Sequence, residues 1–256
     1  MLGVIVKKIK NMEATKIANK QLKNLYESYY SDLSSEMFNV NIELDKENRK
    51  SEKGTNPLLL KVNDDYVDAD IKIMFFGQET NMWLGERNNG AFLGEIQPVI
   101  DLYHGFYIDE FCYKYGGQFW NGISRLKKII SNKLPEKKIG FLWNNVVKIG
   151  RCDKGFPTKI NSLTNKYFNV IPNEIEITKP DIIIFLSGPN YDSEIRKIFG
   201  DFKTKAIGGY STRQLCKIES ANLPNAFRTY DPNFLWRNGI DNFFNVIADE
   251  IKTTNP

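Results

Sequence analysis

The run Ile71-Lys72-Ile73-Met74-Phe75-Phe76 constrains this chain more than any other stretch. It is rich in β-branched and aromatic residues, stops at Gly77, and gives way to the polar Gln78-Glu79-Thr80-Asn81. A short apolar run closed by a turn residue reads as a buried strand feeding a loop. Two further runs share the pattern. Ile139-Gly140-Phe141-Leu142-Trp143 meets Asn144-Asn145 and continues through Val146-Val147-Lys148, and Asp181-Ile182-Ile183-Ile184-Phe185-Leu186 ends at Ser187-Gly188-Pro189. Residues 225–230 read as another strand, ending in Asp231-Pro232-Asn233, and residues 203–217 as one or two short strands around Gly208-Gly209.

Helical spacing separates the strands. It appears at Ile96, Val99, Ile100 and Tyr103, at Phe119, Trp120, Ile123, Leu126 and Ile130, over residues 194–199, and from Trp236 to Ile251. Strands alternating with helices predict a three-layer α/β/α fold around a mainly parallel sheet of roughly four to five strands. Upstream, Ile17, Ala18, Leu22, Leu25, Tyr26 and Tyr29 predict an amphipathic helix over residues 14–33. The charged segment 41–56 reads as a loop or connector. Residues 1–60 are therefore expected to form a helical extension and linker, and residues 61–256 a single α/β domain.

Composition narrows the function classes. Lys and Arg number 35 against 31 Asp and Glu, a net charge of +4 that permits an anionic partner without requiring one. His104 is the only histidine, and Cys112, Cys152 and Cys216 form no CxxC pair, so no histidine-based zinc site or disulfide framework is expected. No cofactor or metal is expected. No apolar run approaches the roughly 20 residues that span a bilayer, so no membrane partner is expected and the cytoplasm is the expected location. The polar stretch Gly85, Arg87, Asn88, Asn89 and Gly90 reads as loop. The aromatics Phe106, Tyr107, Phe111, Tyr113 and Tyr115 read as core or as stacking surfaces for unpaired bases.

In an open α/β sheet, residues at the carboxyl ends of different strands converge on one crevice. Here these are Gly77-Gln78-Glu79, Asn144-Asn145 and Asp231-Pro232-Asn233. In order and spacing they resemble the motifs of the uracil-DNA glycosylase superfamily over about residues 70 to 253. The family's first motif, Gly-Gln-Asp-Pro-Tyr, is similar to Gly77-Gln78-Glu79-Thr80-Asn81. Its base-reading asparagine is similar to Asn144, and its final His-Pro-Ser to Asp231-Pro232-Asn233.

The resemblance implies hydrolysis of the N-glycosidic bond of a flipped, uracil-like base in DNA. Glu79 would orient water and stabilise the sugar cation, and Asp231 would stand in the histidine's place beside the departing base. Gln78 and Asn144 would read the base edge, with Phe92 or an aromatic from residues 106–120 covering it. Ser187, Asn233 and Arg237 would touch the nucleic-acid backbone. A monomer is expected. The alternative is a nucleic-acid- or protein-binding module of the same fold without the chemistry, as Asp231 in place of histidine suggests.

Overall fold

The apolar runs pair into a six-stranded mixed sheet of order β3-β2-β5-β8-β7-β6. Its strands, with a separate short ribbon, are β1 (Gly54–Pro57), β2 (Ile71–Glu79), β3 (Ile139–Val147), β4 (Ile149–Arg151), β5 (Ile182–Leu186), β6 (Lys203–Ala206), β7 (Leu215–Glu219) and β8 (Asn225–Thr229). The chain is seen in a computed structural model that describes residues 2–83 and 92–254. The expected loop at Gly85, Arg87, Asn88, Asn89 and Gly90 lies outside the described residues.

β3, β2, β5 and β8 run parallel, whereas β7 and β6 are antiparallel additions beyond β8. The sheet is thus wider than the four to five strands expected. β6 and the start of β7 fall in the stretch 203–217 expected to hold one or two short strands, and β6 is a largely solvent-facing Lys-Thr-Lys-Ala, a charged edge that discourages pairing with another chain.

Helices cover both faces. They are α1 (Leu2–Lys46), α2 (Asp64–Val67), α3 (Gln97–Tyr103), α4 (Phe111–Tyr115), α5 (Gly117–Lys133), α6 (Thr158–Tyr167), α7 (Ile171–Thr178), α8 (Asp192–Phe199), α9 (Pro232–Leu235) and α10 (Ile240–Thr254). Strand side chains alternate between faces, and pairing Phe75 with Trp143 and Gly77 with Asn145 sets which residues share one. On one face Trp143 stacks on Tyr103 of α3 and meets Trp120 of α5 edge-on. On the other, Phe76 packs edge-on against Phe199 of α8, and Asn144 bonds to Glu174 of α7.

α1 runs far past the expected residues 14–33, and Met37 and Leu44 are as deeply buried as Leu22 and Tyr26. Tyr26, Tyr29 and Tyr30 all close on the Phe168 ring, which anchors the helix to the α6–α7 connection. The segment 41–56 is accordingly no connector. The Asn41 side chain accepts from Gly54 N at 2.8 Å and donates to Gly54 O at 3.1 Å, so a helix amide bonds the start of β1 as a neighbouring strand would. β1 then pairs antiparallel with β4. Gly54 is required there, because a Cβ would lie 2.3 Å from Met37 Sδ. Charge had masked a helix end and a strand that tertiary contacts stabilise.

Candidate functional site

Among the parallel strands the chain passes from β2 to β3 on one side and then returns to β5 on the other. That reversal is a topological switch point, and the carboxyl ends of the strands beside it, β2 and β5, are where ligands bind in open α/β sheets. Glu79 is the last residue of β2 and Ser187 follows the last residue of β5. The two strand ends are laced together. Gln78 Nε2 donates to Ser187 O at 2.9 Å, and Gly188 N donates to Thr229 O at 2.9 Å beyond the end of β8.

Glu79 is half-buried, and its Oε2 accepts a short hydrogen bond from the Tyr191 hydroxyl. Burial raises its carboxyl above the ordinary range and the charge of Asp231 adds to the rise, while the Tyr191 bond and Arg151 oppose it. The Tyr191 hydroxyl is raised as well, by burial and by the Glu79 charge. Asp231 closes the neighbouring corner from the N-cap position of α9, where its carboxylate accepts from Asn233 N at 2.8 Å and from the Asn233 amide. Burial raises Asp231 too, against those two bonds. A half-buried carboxylate beside a second one is costly to ionise, which is how a general base is tuned upward.

The floor of the crevice is set by Gly77. A Cβ there would fall 2.5 Å from Asn145 Oδ1 and 3.0 Å from Phe119 Cζ, so only glycine leaves room for both. Asn145 is 2% exposed. Its Oδ1 accepts from Trp143 Nε1 at 3.1 Å, which fixes which end of the amide is the oxygen, and its Nδ2 has no partner. The Ser187 hydroxyl is also buried without a partner. A buried polar group without a partner is costly, and these two lie near the carboxyl ends of β3 and β5. The rim is aromatic: Phe156 meets Tyr191 edge-on, and Tyr230 lies against the exposed Phe234.

Several expected site residues lie elsewhere. Asn144 faces the opposite side of the sheet, wholly buried. It donates to Glu174 Oε2 at 2.9 Å and accepts from Lys148 Nζ at 2.9 Å and Asn145 N at 2.8 Å, which leaves it no capacity to read a base. Phe92 stacks on Tyr30 with ring centres 5.9 Å apart and meets Phe38 edge-on, so it belongs to the packing beneath α1. Ser187 is too buried, at 1% exposure, to meet a nucleic-acid backbone directly. Asn233 is exposed but turned onto Asp231, and Arg237 is exposed in the short turn Trp236–Asn238 that follows α9.

Glu79 and Asp231 lie close enough for the charge of Asp231 to act on Glu79, and Gln78 bonds the Ser187 backbone. Tyr191 is not among the expected site residues, and Asn145 stands in the expected strand-end pair but is not the asparagine assigned to the base. Tyr191 follows a strand end by only a few residues, a signal open to sequence reading. The choice of Asn145 over Asn144 depends on which face α5 covers.

Thr80 is structural. Its hydroxyl accepts from Gly150 N at 2.9 Å, and a Cβ on Gly150 would sit 1.8 Å from Thr80 O. The backbone of β4 therefore presses against the end of β2. Among the described residues no cluster of three or more His, Cys, Asp or Glu suits a metal ion, and no helix is long and apolar enough to cross a membrane. Cavities of about 480 Å3 and 630 Å3 lie apart from the crevice, one by Asp181 and Pro224, the other between α1 and α7. Compared with known protein families and with curated proteins, the chain matches none.

Proposed function

We propose that the chain is a divergent, uracil-DNA-glycosylase-like hydrolase that cleaves the N-glycosidic bond of a base flipped out of DNA. The observation that carries the reading is the register of β2 against β3: Asn145, whose amide donor has no partner, pairs with Gly77, two residues before the half-buried Glu79. A base entering from the side of Phe119 would place a carbonyl against Asn145 Nδ2 once that ring moves off Gly77. Its sugar would lie toward Glu79.

Glu79, ionised, accepts a proton from water as the water oxygen bonds to the anomeric carbon. The bond to the base breaks as the sugar acquires oxocarbenium character, and the base leaves with the electron pair. A carboxyl raised toward the working pH is a stronger base than an ordinary glutamate. Asp231 acts through its charge on Glu79, its Oδ1 being taken by both Asn233 donors. That same capping favours a second reading, a nucleic-acid-binding module without chemistry, since an N-cap carboxylate is a poor donor to a departing anion.

The test is base release from uracil-containing single- and double-stranded oligonucleotides by the wild type, Glu79→Gln and Asn145→Ala, each checked for folding by thermal unfolding. The glycosylase reading expects release by wild type, its loss in Glu79→Gln, and a fall of roughly 5- to 150-fold in Asn145→Ala, the cost of an unpaired buried hydrogen bond. Oligonucleotide binding without release would favour the binding module. Neither binding nor release would remove both readings.

A further inference from the structure

We infer that Tyr191 is a positioning residue for Glu79: by donating to Oε2 it leaves Oε1 as the carboxylate oxygen presented to water, and the buried Arg228–Asp192 pair holds Tyr191 in place to do so. The inference rests on the reading of Glu79 as the base of a hydrolytic site, and the hydrogen bonds that support it stand apart from the choice of substrate.

A glutamate at a strand end has three free side-chain torsions, and its two oxygens are equivalent until something distinguishes them. Tyr191 does so. Its ring is anchored by the edge-on contact with Phe156, with centres 5.9 Å apart. Its backbone is fixed from both sides. Tyr191 N donates to Gly188 O, and Gly188 is itself bonded to Thr229. On the other side Asp192 receives a two-pronged bond from Arg228, Nε to Oδ1 and Nη2 to Oδ2, each at 3.0 Å. Arg228 is 2% exposed and its remaining arm donates to Arg213 O at 2.9 Å, so the fork is rigid and satisfied. Planar bidentate geometry of this kind fixes orientation as well as charge. The chain that delivers the hydroxyl is therefore clamped to β5 and β8, the strands forming the far wall of the crevice.

The groups facing Glu79 are Tyr191 from the turn before α8, Asp231 from the start of α9 and Arg151 from β4. Of these, Tyr191 alone forms a hydrogen bond to the carboxylate, and such a bond favours the charged form. Removing it while Asp231 and burial remain must raise the pH at which Glu79 titrates.

The experiment is a carbon-13 carboxyl NMR titration of the full chain, wild type against Tyr191→Phe, with the Glu79 resonance assigned by its absence in Glu79→Gln. The base-release assay is run on the same two proteins across pH. Tyr191→Phe keeps the ring and deletes only the hydroxyl. The expected result is a Glu79 titration moved to higher pH and an acidic limb of the release profile moved the same way. kcat should fall by up to about 100-fold while KM holds. An unmoved or lowered Glu79 titration in a folded variant would overturn the inference. A variant that fails to fold would overturn it as well, by making the hydroxyl a requirement of the fold. If the titration moves but neither protein releases a base, the positioning stands and the glycosylase reading fails. Release by both proteins with equal pH profiles leaves the glycosylase reading and removes the positioning role.

Discussion

Replacing Lys148 by Met tests the claim that Asn144 belongs to the core rather than to the site. Lys148 and Glu174 are 2% and 0% exposed at the side chain, with Nζ and Oε1 2.7 Å apart. Tyr26 donates to the same Oε1 at 2.7 Å and Asn144 to Oε2 at 2.9 Å, so three donors from α1, β3 and its continuation converge on one carboxylate of α7. Burial pushes the Lys148 amine down, and the Glu174 charge works against that. In Lys148→Met the carboxylate keeps two neutral donors but loses its counter-charge. Breaking a buried ion pair from one side costs about 3–5 kcal/mol, which for a chain of this length is a fall in Tm of roughly 6–20 °C. The double variant Lys148→Met/Glu174→Gln leaves no charge uncompensated and should recover at least half of that loss. Thermal unfolding followed by circular dichroism at neutral pH reads all three proteins. A single variant within about 1 kcal/mol of wild type, or a double variant less stable than the single, would refute the account of this cluster.

Gly77→Ala should shut the crevice at modest structural cost. Its Cβ would lie 2.5 Å from Asn145 Oδ1, so overpacking of about 1–3 kcal/mol is expected in unfolding, together with loss of base release and of any base-dependent binding. Glu79→Gln should stabilise the protein more at pH 7 than at pH 4. A carboxyl whose folded pKa is raised binds its proton more tightly when folded, so wild-type stability declines as pH rises from the unfolded pKa through the folded one. The variant lacks that decline, and equal gains in Tm at both pH values would contradict the burial of Glu79. Phe92→Ala should lower stability by about 3–5 kcal/mol through a cavity beneath α1 while leaving ligand affinity unchanged. A selective loss of binding in a stable Phe92→Ala protein would return Phe92 to the site.

Much of the architecture is legible in the linear pattern because it depends on local physics. The β-branched and aromatic runs at β2, β3 and β5 are buried strands, and glycine or polar residues end them. The place of Glu79 at the end of β2 is therefore legible on sequence grounds alone. Asp231 before Pro232 caps a helix, as the pairing of an N-cap aspartate with proline at the first helical position suggests.

Long-range contact decided the rest. The charged stretch after residue 40 remains helical because Met37 and Leu44 are buried and Asn41 bonds Gly54, contacts that no local window contains. Phe92 is a core residue because α1 lies over it. Asn144 and Asn145 are identical in composition and adjacent in sequence, yet a strand turns successive side chains to opposite faces. One meets Glu174 and Lys148 on the side covered by α1 and α7, the other meets Trp143 and lies close over Gly77 on the side of Phe119. An asparagine at the end of that strand is evident in the sequence; which of the two lies toward α7 and which toward α5 is decided only by the sides of the sheet the helices take.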